Sequence, residues 1–303
     1  MSFSLTILGS SSALPTSKRF LTAHLVNHDE RFFLIDCGEG TQMQLKRFNK
    51  KIARINHIFI SHLHGDHVFG LFGLLSTFSM MGRKSTLHIY SNPKLEEILN
   101  SHFSYFNETI QYPIDFHHFS SKLSEPIYND GKLEIITIPL KHRIPCAGFL
   151  FKELPKPLNI RKEKIDFYDL GIKDIISIKN GADFVTPEGK TIENNKLTEQ
   201  HTPSKSFAFC TDTKAINSNI QLIKNVDLLY HEATFLDSDT KLAKATYHTT
   251  TKQAAQLAKD AEVKQLVIGH FSARYKNYSL FQSEANSIFQ NTILAEDGLE
   301  INI

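Results

Sequence analysis

Four strong metal ligands fall within six residues in Ser61-His62-Leu63-His64-Gly65-Asp66-His67, the pattern H-x-H-x-D-H. His62 and His64 are two apart, so on an extended backbone their side chains leave the same face. Gly65 permits a tight turn that swings Asp66 and His67 round to a second point in space. The segment therefore offers two imidazoles to one metal, and a carboxylate plus an imidazole to a neighbouring one. Such borderline ligands suit zinc, and manganese or iron less specifically. The preceding run, His57-Ile58-Phe59-Ile60, reads as an apolar strand. The cluster then stands at a strand's C-terminal end, where α/β folds place their chemistry. A merely His-rich surface loop is the plainer reading, and the strictness of the pattern argues against it.

A site of this kind needs a scaffold, and 303 residues with 41% apolar and 22% charged content supply one. That length holds one large domain or two small ones. The net charge of +2 gives no bulk basic field, so a nucleic-acid partner needs a local patch. Residues 1–8 read as a first strand, not a signal peptide. No run approaches the roughly 18 apolar residues of a membrane span. Cys37, Cys146 and Cys210 are odd in number and far apart. A disulfide framework is not expected, and a reducing cytoplasm fits best.

Along the chain, short apolar strands are predicted at 5–8, 23–26 and 32–35. Residues 9–19 between the first two are small and polar, hence a loop. It reads either as a plain connection or as an overhang that offers Lys18 and Arg19 to an anion. Asp36-Cys37-Gly38-Glu39-Gly40-Thr41-Gln42 follows the third strand as a tight turn into a helix over 42–47. Asp36 is also placed to brace a ligand histidine from behind. Residues 68–78 are apolar on nearly all sides, which predicts a buried helix with its phenylalanines in the core. A strand at 86–90 and a helix at 93–101 follow. Strands followed by alternating helices and strands argue for sheets covered by helices.

The second half supplies isolated candidates, each just beyond a predicted strand. His142 follows the strand at 133–138, Asp212 follows 207–210, and His270 follows 265–268. One such residue alone is more often a turn residue than a ligand. Three at the same end of successive strands can complete two metal spheres, with Asp212 placed to bridge. A strand at 226–230 leads into His231-Glu232-Ala233-Thr234, and Tyr247-His248-Thr249-Thr250-Thr251 precedes a helix at 252–259, which a threonine can cap. His248 either sits near a helix start or faces a scissile phosphate with Glu232 orienting it. Residues 152–200 are mostly polar and too long for a connection. They read as a solvated insertion or as an arm that grips a large anionic substrate, and their charge does not decide between these.

With these residues in view, the chain resembles the metallo-β-lactamase superfamily essentially end to end, and within it ribonuclease Z (tRNase Z), the tRNA 3′-processing endonuclease. His62, His64, Asp66 and His67 match the superfamily signature, and His142, Asp212 and His270 match its later ligands. The 36–42 run, His231–Thr234 and His248-Thr249-Thr250 are more specific to ribonuclease Z. The resemblance implies an αββα sandwich of two mixed sheets flanked by helices. It makes residues 1–303 a single domain, with a flexible tRNA-binding arm inserted at about 152–200. It implies two zinc ions per subunit, one on His62, His64 and His142, the other on Asp66, His67 and His270, with Asp212 bridging. Asp66 takes the proton-acceptor role; His248, supported by Glu232, stabilises the transition state or protonates the departing 3′-oxygen. The implied partner is precursor tRNA, with a homodimer, no organic cofactor and no membrane. Another hydrolase on the same scaffold (a thioesterase, lactonase or other phosphodiesterase) is the nearest rival; an oxygen-reducing flavodiiron protein and a non-catalytic RNA-binding relative are more distant ones.

Overall fold

A computed structural model describes residues 2–106, 109–199 and 203–303. The chain divides into two compact units: one of residues 1–129, 135–151 and 206–303, the other of residues 130–134 and 152–205.

The larger unit begins with β1 (Phe3–Gly9), β2 (Ala23–His28) and β3 (Arg31–Ile35), followed by α1 (Thr41–Arg47) and β4 (Ile55–Phe59). Then come α2 (Gly65–Met80), β5 (Leu87–Ser91), α3 (Lys94–Tyr105), β6 (Ile114–His118) and β7 (Pro126–Asn129). β8 (Leu133–Leu140) and β9 (Cys146–Glu153) straddle the boundary between the units. The smaller unit holds β10 (Asn159–Ile160), α4 (Lys162–Phe167), α5 (Ile172–Lys179), β11 (Phe184–Val185), β12 (Thr191–Ile192), α6 (Asn194–Leu197) and β13 (Thr198–Glu199). The larger unit resumes with β14 (Ser206–Cys210), β15 (Leu228–Glu232), α7 (Thr240–Thr246), α8 (Thr251–Asp260) and β16 (Gln265–Gly269). It closes on α9 (Ser279–Asn286), β17 (Thr292–Leu294) and β18 (Glu300–Asn302).

Two seven-stranded sheets result, ordered β18-β1-β2-β3-β4-β5-β6 and β17-β16-β15-β14-β9-β8-β7. The first is mixed: β18, β1, β2 and β3 pair antiparallel, whereas β3 to β6 run parallel. In the second, β14 to β17 are parallel. The inner faces meet through aromatic rings. Phe33 and Phe59 of the first sheet pack against Phe149 and Phe151 of the second, with centroids 5.4–6.0 Å apart. On the outer face of the first sheet, Leu25, Leu34 and Ile58 join Leu71, Leu74, Leu75 and Phe78 of α2 and Leu95 and Leu99 of α3 in one cluster. Alternate strand residues thus feed two different cores, as strand periodicity requires. α8 packs against β15 and β16 on the second sheet. The arrangement is the layered α/β sandwich that the sequence implies.

Two expectations need correction. α2 is not buried all round: Phe69 is 64% exposed, because its position turns it away from the face that carries Leu71, Leu74, Leu75 and Phe78. The insertion is not merely solvated chain. Ile160, Leu170, Ile178, Phe184, Ile192 and Leu197 form a core of its own, which lies scattered among polar residues in the sequence.

Candidate active site

The loop after β3 and the start of α2 build one side of the site together. Cys37 N–H donates to His67 O (2.8 Å) and Gly70 N–H donates back to Cys37 O (2.9 Å). A Cβ on Gly38 would lie 2.5 Å from Asp66 O, so only glycine lets the loop pass there. Gly65 does not form the expected turn: it is the first residue of α2, and the helix itself presents Asp66 and His67. The other candidates stand just past β8, β14 and β16, and Glu232 ends β15.

These scattered residues converge. His62, His64, His142 and Asp212 form one group whose ligand atoms lie within 4.8 Å of one another, and Asp66, His67 and His270 form a second. His64 Nδ1 is 3.0 Å from His62 Nε2 and 3.2 Å from His142 Nε2. Asp212 divides itself between the groups. Its Oδ2 lies 3.5 Å from both His62 and His142 Nε2; its Oδ1 lies 3.3 Å from His67 Nε2 and 3.1 Å from His270 Nε2. Asp66 Oδ2 is 3.5 Å from His67 Nε2 and 3.7 Å from His270 Nε2.

The surrounding shell settles which ring nitrogen faces inward. Asp36, fully buried, accepts the His67 Nδ1–H (2.7 Å), the Ser61 N–H (2.8 Å) and the Ser61 hydroxyl (2.8 Å). The Ser61 proton is thereby committed, so Ser61 Oγ accepts from His62 Nδ1 at 3.0 Å. Tyr247 O accepts the His142 Nδ1–H at 3.2 Å. Thr234 donates its hydroxyl to Glu232 (2.6 Å) and accepts from His270 Nδ1 (2.9 Å). In their neutral forms these four imidazoles therefore turn an Nε2 lone pair inward. Among the described residues, Nε2 of His67 and of His270 are buried with no hydrogen-bond partner, yet each faces carboxylate oxygens. Lone pairs facing lone pairs in a buried site repel unless a proton or a metal cation lies between them. The donor set fits borderline divalent ions, and the chain carries a His/Asp metal-binding centre.

The electrostatics agree. Burial pushes the imidazoles of His62 and His64 down and that of His142 to about 4, so these stay neutral and can act as ligands. Burial alone would lower His67 too, but Asp212, Asp36 and Asp66 outweigh it and hold that ring well above the ordinary range. In such a carboxylate field a cation can take the proton's place. Asp66 and Asp212 are driven well below the usual carboxylate range: burial opposes this, and the neighbouring histidines overcome it.

His248 stands beside the centre. Its ring is 5.5 Å from that of His270 and 5.2 Å from that of His142. Its Nδ1 is held at 2.8 Å by Glu232 Oε1, and Glu232 is fully buried. Thr213 N and Thr234 N also donate to this carboxylate. Burial would lower His248, but the Glu232 charge and hydrogen bond raise it to about 9. A cleft of about 410 Å³ opens over the centre, lined by His64, Asp66, His142, Asp212, His248 and His270 together with Ser12 and Ala13.

The early loop reaches this cleft differently from expectation. Ala13 N–H donates to Asp66 Oδ2 at 2.9 Å, so the contact is made by backbone. Arg19 is not offered to an anion: it is buried, bonded to Ser10 Oγ and Ala295 O, and lies over Phe271 and Tyr278. Its guanidinium closes the loop onto the body of the unit. Lys18 is exposed and is not among the residues lining the cleft. Sequence reasoning missed Ser61, Thr213, Thr234 and the carbonyl of Tyr247. Ser61 and Thr234 lie inside motifs it had singled out, but nothing in a hydroxyl residue's type announces which ring it will hold.

Comparison with known proteins supports the same picture. A family model described as "Anti-Pycsar protein Apyc1" matches residues 3–138, and one described as "Beta-lactamase superfamily domain" matches residues 197–271. Ribonuclease Z of Bacteroides thetaiotaomicron is 52% identical over 99% of this chain and 95% of its own length. That of Phocaeicola vulgatus is 50% identical over 99% and 97%. The crystal structure of human tRNase Z, short form, superposes with a TM-score of 0.71 at 26% identity, covering 98% of each chain. At about 50% identity over nearly the whole length of both chains, the chain belongs to the ribonuclease Z family of endoribonucleases, built on the metallo-β-lactamase fold.

Proposed function

We propose that the chain removes the 3′ trailer from tRNA precursors by zinc-dependent phosphodiester hydrolysis, leaving a 3′-hydroxyl on the tRNA and a 5′-phosphate on the trailer. The observation that carries this reading is the pairing of Asp212's two oxygens with two separate ligand groups, directly beside the His248–Glu232 pair. His62, His64 and His142 would hold one zinc and Asp66, His67 and His270 the other, with Asp212 shared. Bound there, such a pair supplies Lewis acidity at the phosphate and lowers the pKa of water toward neutrality.

The chain's own groups do the rest. Asp66, kept ionised by His67 and His270, would accept the proton of the attacking water. His248 has its Nδ1–H committed to Glu232 and is protonated at neutral pH. Its Nε2–H can therefore be delivered to the departing 3′-oxygen or to charge building on the phosphoryl group. Phosphate contacts at the cleft would make affinity fall with salt. The insertion at about residues 152–200, which makes up most of the smaller unit, is proposed as the arm that grips tRNA.

A homodimer is supported by apolar side chains left exposed on α2 and α3 and just beyond them: Phe69, Met80, Met81, Ile98, Tyr105 and Phe106. Among the described residues no helix is long and apolar enough to cross a membrane. The three cysteines are buried free thiols, which fits a reducing cytoplasm.

The test is incubation of the full chain with a 3′-extended precursor tRNA, with and without chelator, and mapping of the cut. A single cut with a 3′-hydroxyl and a 5′-phosphate, lost on chelation and restored by zinc, is expected. An intact precursor alongside hydrolysis of a thioester or lactone would transfer the protein to another activity of the same scaffold.

A further inference from the structure

A second convergence of ligands lies on the first sheet, toward its edge strand. His88 of β5 and Asp115 and His117 of β6 bring three ligand atoms together, clear of every residue assigned above. His88 Nδ1 is 3.0 Å from His117 Nε2; Asp115 Oδ2 is 3.4 Å from the first nitrogen and 3.3 Å from the second. Ligands held about 2.0–2.1 Å from one ion are separated by about 2.9 Å at octahedral angles and about 3.4 Å at tetrahedral ones. All three separations lie in that interval. They also match the 3.0–3.5 Å spacings among His62, His64, His142 and Asp212.

The rings are braced for this aim. His88 stacks on His57 at 5.0 Å with 12° between planes, and His117 stacks on Tyr90 at 4.4 Å with 13°. Each stacking contact fixes the plane of its ring, and in these planes His88 Nδ1 and His117 Nε2 both face Asp115 Oδ2. Asp115 is half exposed, with 54% of its side chain accessible, so an ion can enter from solvent. A simple hydrogen-bonded triad is the competing account, since one imidazole N–H can bridge the two rings.

We propose that His88, Asp115 and His117 form a further divalent transition-metal site, of zinc-type preference, that ties the edge strand β6 to β5. Two neutral imidazoles and one carboxylate supply three donors, and water completes the sphere. An ion there links neighbouring strands at the end of the parallel series β3–β6. Among the described residues no further strand lies beside β6, and such an edge leaves backbone groups without a strand partner. The site needs no tRNA and no catalytic step, so it stands independently of the nuclease reading.

The experiment titrates the metal-depleted full chain with Zn2+ by calorimetry, and with Co2+ followed by its visible absorption, for wild type, Asp115→Asn and the double variant His88→Gln/His117→Gln. His118→Gln, on a neighbouring residue outside the triad, is the control. Wild type and His118→Gln are expected to bind one more equivalent per chain than either triad variant. Added zinc should also raise their melting temperature more than that of the triad variants. Equal stoichiometry in wild type and Asp115→Asn, with both folded by circular dichroism, would overturn the site in favour of the hydrogen-bonded triad. Asp115 is exposed enough for its variant to decide the matter even if the double variant does not fold.

Discussion

Asp36 (φ 56°), Asp212 (φ 24°), Tyr247 (φ 65°) and His270 (φ 60°), all around the active site, hold backbone angles that side-chain-bearing residues rarely adopt. Each stands where the chain must turn sharply to aim a carboxylate, a carbonyl or an imidazole at one point, and such strain persists only where the surroundings over-determine it. The same surroundings tune the charges. His248 keeps its proton until the pH climbs toward about 9 because the Glu232 carboxylate stabilises the imidazolium. Removing that charge lowers the imidazole's pKa, so Glu232→Gln should move the alkaline limb of the single-turnover pH–rate profile to lower pH, with the smallest loss of rate at acid pH. A limb that does not move would show that His248 does not deliver a proton. Of these residues, the sequence displayed the ligand types and the strand ends. The positive φ angles were invisible to it, because they arise from contacts between segments far apart in the chain, such as those of Asp66 and His270.

Among the elements, α2 matters most, since its first turn carries Asp66 and His67 while its apolar face enters the core. Its seating depends on two glycines that behave oppositely. A Cβ on Gly70 would lie 2.1 Å from Gly38 O, a backbone atom that cannot yield cheaply, whereas a Cβ on Gly73 would meet only Gln42 Oε1 at 3.7 Å. Gly73→Ala should therefore stabilise by about 0.5–1 kcal/mol through helix propensity. Gly70→Ala should destabilise by about 1–3 kcal/mol through overpacking and weaken metal retention as Asp66 and His67 shift. Urea denaturation with metal content measured on the same samples checks both; a stabilised, fully loaded Gly70→Ala would remove the close approach from the account. The α8 start was legible in part: a threonine cap before a helix at 252–259 was expected, and α8 begins one residue earlier, at Thr251, with Thr250 accepting from Gln253 N and donating its own N–H to Gln253 Oε1 in a capping box. The orientation of Phe69 was not, because a helix that is apolar nearly all round carries no periodic signal of which side meets solvent.

At the scale of the whole molecule, the question is what the smaller unit adds. Glu153 N–H donates to Lys205 O at 2.9 Å, so its chain ends meet and residues 156–202 can be replaced by a short Gly/Ser linker. Precursor-tRNA cleavage by that variant should fall about tenfold or more, the equivalent of about 1.4 kcal/mol, while hydrolysis of a small phosphodiester stays near wild type. Equal loss on both substrates would refute the arm and make the unit a support for the active site. The insertion could be recognised in the sequence by its length and polarity. Its own core could not, because six apolar residues spread over some forty positions form no pattern until they are folded together.

The sequence by itself determined the chemistry and the layering: ligand types at the ends of strands, apolar runs of strand length, and a metal-binding pattern too strict to arise from a loop. These are local properties, written in residue type and spacing. The tertiary structure alone decided which nitrogen of each histidine faces the metal centre, that Arg19 fastens the loop instead of meeting substrate, and that His88, Asp115 and His117 converge. Each of these depends on partners distant in the chain, and residue spacing cannot encode a distance between side chains that only the packing of two sheets brings together.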